Sequence, residues 1–188
     1  MLAKNRDSLI QRPRGQLTTK MARAISKYWE TRGYYVLYDH DPSSHNVGKI
    51  VSSFGEQPPR RSTQLSHIDI ALVERDSGTV FALIEIEETT DKPKALLGDV
   101  FAILMGEHLS FGKDHPLVVD ENTALFVFGK SKFSHAERID YVLDKVKRFS
   151  SNLQTGNSKI KKIEIKTFST DAELKELLTD NIEAFTTQ

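Results

Sequence analysis

The chain has no cysteine, which excludes disulfide staples and any metal centre held by thiolates. A chain without thiols fits a reducing compartment, and we expect it in the cytoplasm. It also lacks an apolar run long enough to span a bilayer. Residues 1–20 are polar and basic, without the apolar core of a secretory signal. There is no glycine-rich phosphate loop, no nucleophile elbow and no histidine pair at helical spacing. His45, His67, His108, His115 and His135 are scattered. Nor is there a net charge: 26 Lys and Arg balance 26 Asp and Glu, so global charge argues for no polyanionic partner.

That balance hides an asymmetry. Residues 1–65 carry 11 basic against 5 acidic side chains, residues 66–125 carry 4 against 12, and residues 126–188 carry 11 against 9. An acidic middle flanked by basic ends is either a chance spread of solvated charge or an acidic cation site set between polyanion-binding surfaces. With 188 residues and 38% hydrophobic content, the chain reads as one domain over residues 1–188 with a sizeable core.

Periodicity predicts a first helix from about Thr18 to Arg32, ended by Gly33, then a strand from Tyr34 to Tyr38. A long segment from Asp39 to Ser66 is either functional or hides a small hairpin, with one hidden strand expected near Lys49 to Phe54. Strands are expected at Ile68–Val73 and Thr79–Glu87, joined as a hairpin by the turn at Asp76 to Gly78. Asp91 caps the next helix, about Lys92 to Glu107, whose apolar arc is wide enough for burial on more than one side, against the sheet and against a partner chain. A buried strand follows at Ala124–Phe128. Capping boxes at Ser134–Glu137 and Thr170–Glu173 open two more helices around a strand at Ile160–Phe168. The Lys159 to Lys162 run marks that strand as a protected edge. The fold class is α/β, a mixed central sheet with helices on both faces.

The chemistry lies in acids placed inside apolar strands. Glu85 and Glu87 interrupt the run from Val80 to Glu87, and Asp69 interrupts the run before it. Carboxylates in strand interiors are costly unless paired or cation-bound. Side chains two apart share a face, so Glu85 lines up with Glu87, and Asp69 with His67 and Ala71. Leu83 and Phe81 are expected on the same face. If the two runs form a hairpin, the three carboxylates converge, repel one another and favour a hard divalent cation. The plainer alternative is an amphipathic hairpin with its polar face in water.

A strand-borne Asp, then Glu85-Ile86-Glu87 on the next strand, then a helix, resembles the PD-(D/E)xK nuclease superfamily, the restriction-endonuclease-like fold. Residues 18–128 reproduce the family's αβββαβ core order, followed here by a C-terminal αβα. The chain departs from the family at Glu87, where lysine is usual. The resemblance implies a Mg²⁺ (or Mn²⁺) site with Asp69, Glu85, the Ile86 carbonyl and Glu87 as ligands, and Glu87 as ligand or general base. It adds Lys94, or secondly Lys92, as a lysine supplied by the following helix. Glu30 is a further metal candidate, set against the plain reading of a solvated helix glutamate. Arg60 and Arg61, just before Asp69, are placed to clamp a DNA phosphate. His67, on the face of Asp69, is a candidate to touch the scissile phosphate, set against the plain reading of an exposed or hydrogen-bonded histidine. Arg12, Arg14, Lys20 and Arg23, before or in the first helix, extend the basic edge with Lys130 and Lys132. The expected activity is a metal-dependent DNA endonuclease of restriction-enzyme or junction-resolvase type, acting as a homodimer. The alternative is a catalytically inactive nuclease-like domain that binds nucleic acid or a protein partner.

Overall fold

In the computed structural model, residues 15–39, 48–88, 93–112, 115–130, 159–160 and 162–186 are described, with 93–96 and 185–186 by backbone alone. Tyr141, Asp144, Lys145 and Arg148 are also described, and all four are helical. The expected caps at Asp91 and Ser134 lie outside the described residues, as does Arg14.

Helix α1 (Gln16–Glu30) buries Leu17, Thr18, Met21, Ala22, Ile25 and Trp29 on one stripe. It ends where Gly33 takes a left-handed turn at φ 90°. A five-stranded sheet then assembles in the order β1 (Tyr34–Tyr38), β4 (Ile70–Glu74), β5 (Val80–Glu87), β8 (Ala124–Lys130), β9 (Lys162–Phe168). The first three strands are antiparallel and the last three parallel. Strands β4 and β5 form the expected hairpin. Its turn is closed by Gly78, whose φ is 70° and whose N–H donates to the Glu74 carbonyl at 3.0 Å.

Helices cover both faces of this sheet. On one face α1 packs with the C-terminal helical stretch α3, made of Asp171–Glu176, a wider π turn Leu177–Asn181, and Ile182–Thr186. The Trp29 indole donates to the Leu178 carbonyl in that turn at 3.0 Å. On the other face α2 (Pro93–Met105) contributes Val100, Ile103 and Leu104 to a core with Ala71, Leu83, Leu125 and Val127. The molecule is a mixed α/β protein, and no helix among the described residues is long and apolar enough to cross a membrane.

Three features differ from the sequence reading. The expected strand Ile68–Val73 is two strands: β3 (Gln64–Ile68) and β4 part at Asp69, where the backbone bends from one sheet into another. Strand β3 belongs to a second sheet ordered β3, β2 (Ile50–Ser53), β6 (His108–Phe111), β7 (His115–Leu117). The hidden strand is therefore real, while β6 and β7 have no forecast counterpart. Lastly, Phe81 does not share the face of the acids. The β4–β5 register slips between Leu72 and Val73, pairing Val73 with Val80. Phe81 is thereby turned to the opposite face, 5.6 Å from Trp29 and 4.6 Å from Tyr34 between ring centroids.

Candidate functional site

The hairpin register decides where the acids meet. Ile70 pairs with Ile84 and Ala71 with Leu83, so one step further Asp69 stands beside Glu85 at the end of β4, where β5 runs on. The Asp69 carboxylate takes over the vacated pairing. Its Oδ2 accepts from the Ile86 backbone N–H at 2.8 Å, and its Oδ1 accepts from the Thr18 hydroxyl of α1 at 3.2 Å. These two bonds fix the side chain between helix and sheet, at the residue where the chain passes from one sheet to the other.

Asp69, Glu85, Ile86, Glu87, Asp99 and Val127 enclose a cavity of about 200 Å³. Its acids come from three places: the bend, strand β5, and helix α2. Glu85 is 8% exposed, and its Oε1 is buried without a hydrogen-bond partner. Burial, first of all, pushes the Glu85 carboxyl well above the usual range, and the charges of Asp69 and Asp99 push it further. The nearness of the Asp69 carboxyl favours the protonated form of Glu85 as well. Burial raises Asp69 to about 6, against the Ile86 and Thr18 donors, which favour its charged form. Asp99 is raised by burial and by the Glu87 charge. All three shifts run upward first because the groups are taken out of water, and the neighbouring negative charges add to this; the cavity takes no lysine, arginine or histidine from the described residues.

Among the described residues, no three of Asp, Glu and His already stand together as a ligand cage; the acids share a cavity rather than one point. Their chemistry still fits a hard divalent cation. Every side-chain donor is a carboxylate oxygen, and the orphaned Glu85 Oε1 is a buried acceptor that a cation would satisfy.

The other candidates are placed as follows. Glu30 ends α1, twelve residues beyond Thr18. At the helical rise that is about 18 Å along the axis from the hydroxyl that reaches Asp69, so the structure does not bring Glu30 to the acids. Lys94 lies in the first turn of α2, with its side chain outside the described residues. Arg60 and Arg61 are exposed on the β2–β3 connection, where Arg60 precedes the short 3₁₀ turn Arg61–Thr63. His67 is exposed on β3 and lies 3.4 Å from the Gln64 amide oxygen; it does not line the cavity. Lys20 is paired with Asp171.

Two residues of the site were missed in the sequence. Asp99 carries the same signal as Glu85, a single acid within an apolar run, here Ala95 to Met105. Thr18 carries none, because a helix threonine acquires this role only through its partner 51 residues away.

Comparison of the chain with protein-family models, with characterised proteins and with solved structures gives no match. The site is therefore read from its own geometry.

Proposed function

We propose that the chain is a Mg²⁺-dependent endodeoxyribonuclease of the restriction-endonuclease-like fold, acting on DNA as a homodimer. One observation carries this reading. A glutamate that is 8% exposed, with an unpartnered oxygen, shares with the half-buried Asp69 a cavity whose polar side chains are all carboxylates. Such an arrangement is costly for a scaffold and suited to holding a cation. The order α1, β1, β4, β5, α2, β8 supports the fold reading, with β2–β3 and β6–β7 as additions that pair with each other in the second sheet.

In this reading Asp69 and Glu85 hold the ion, with the Ile86 carbonyl as the ligand the resemblance adds. A bound Mg²⁺ polarises a phosphodiester and lowers the pKa of water. Glu87, on the same face of β5 as Glu85, accepts the proton of the attacking water. Thr18 and the Ile86 amide keep Asp69 aimed. Arg60 and Arg61, separated from Asp69 by strand β3, which is about 16 Å long, offer charge for phosphates further along a bound strand.

The test is plasmid cleavage in Mg²⁺ by the wild type and by Glu85→Ala. The proposal expects nicking by the wild type and a loss of at least about a hundredfold in the variant. Equal cutting by both would remove the site assignment. A second reading has its own support: Glu87 stands where the family has lysine, and no described cation lines the cavity. A domain that binds without cutting would leave plasmid intact yet retain DNA, with affinity falling steeply as salt rises.

A further inference from the structure

Helix α2 brings to the cavity one acid that the strand pattern does not explain. Asp99 lies beside Val100 and one turn before Ile103, both fully buried against the sheet. Packing of these neighbours holds position 99 at the cavity wall, and its own polarity opposes that placement. Among the described residues, no lysine, arginine or hydrogen-bond donor is set against its carboxylate. The charge it meets there is that of Glu87, also negative. The unpartnered Oε1 of Glu85, on a side chain 8% exposed, opens the same cavity to a ligand independently of Asp99.

We propose that Asp99 is a direct ligand of the divalent cation, closing the coordination of Asp69 and Glu85 from the helix layer. This rests on the cation-site reading above. It makes α2 part of the site, so that a bound ion ties the helix to the sheet through charge, in addition to the packing of Leu97, Val100, Ile103 and Leu104.

Two measurements on the full chain test it, neither relying on activity. In calorimetric titration with Mn²⁺, Asp99→Asn should bind at least about tenfold more weakly than the wild type. The second measurement uses the absence of cysteine. Asp99→Cys carries the chain's one thiol, and with Cd²⁺ it should show the ultraviolet charge-transfer band of a cadmium thiolate, since thiolates suit soft metals. Glu121→Cys, at an exposed turn position, should show none, and adding Glu85→Gln to Asp99→Cys should abolish the band. The proposal is overturned if Asp99→Asn binds Mn²⁺ as the wild type does while Glu85→Gln binds weakly; the cation site then stands without Asp99. It is also overturned if folded Asp99→Cys takes up Cd²⁺ with no thiolate band. A wild type that takes up no Mn²⁺ removes the cation site itself, and this inference with it.

Discussion

Asp69 accepts one hydrogen bond on each carboxylate oxygen, from Thr18 and from the Ile86 amide, and still holds its proton up to about pH 6. Burial outweighs the two donors because each donor offsets only part of the cost of bringing the charge out of water. The consequence for stability has a definite sign. The folded value, about 6, lies above the ordinary 3.8, so the folded state binds this proton more tightly than the unfolded chain. That contribution is fully present below about pH 4 and is lost as pH rises through about 6. A shift of roughly two units corresponds to at most about 3 kcal/mol. Urea unfolding in EDTA should therefore show stability falling between pH 4 and pH 7, and Asp69→Asn should flatten the slope. Thr18→Val, which removes a donor to the charged form, should move the fall to higher pH. A stability that rises across this window would contradict the burial assigned to Asp69.

At the scale of elements, the ends of α3 and the path of β3–β4 show two degrees of local control. The start of α3 is set locally: the Thr170 hydroxyl accepts from the Glu173 N–H at 3.2 Å, and the Glu173 carboxylate accepts from the Ser169 N–H at 2.7 Å. Thr170→Ala should cost about 1 kcal/mol, measurable as a shift of the denaturation midpoint without a change in slope. A cost near zero would mean that packing of Leu174 and Leu178 alone fixes the helix. Because this cap is a four-residue pattern, it is legible in the sequence, as is the hairpin turn at Asp76 to Gly78. The break at Asp69 is not. Ile68 to Val73 reads as one apolar strand, and the groups that hold Asp69 at the break are 51 and 17 residues away. The second sheet was hidden for the same reason. Strands β6 and β7 are four and three residues long, too short for their alternation to be read, and β6 is held by pairing with the distant β2. Phe81 lies on the face opposite to the one its parity predicts, because period-two alternation fails across a bulge.

At the scale of the whole molecule, the architecture serves to bring acids from separate layers to one place. Strand parity and the hairpin were enough to bring Asp69 and Glu85 together from sequence alone. The helix layer adds Asp99 and Thr18, which needed the packing of α1 and α2 on opposite faces of the sheet. Four carboxyl groups lining about 200 Å³, with no counter-charge from the described residues, form a concentration of acid that a divalent cation relieves. The central claim is that such an ion sits there. A crystal of the protein soaked in Mn²⁺ and measured for anomalous scattering tests this most directly. A peak in the cavity bonded to carboxylate oxygens of Asp69 and Glu85 is expected; an ordered cavity free of Mn²⁺, with the metal bound elsewhere or nowhere, would mean that these acids hold no ion.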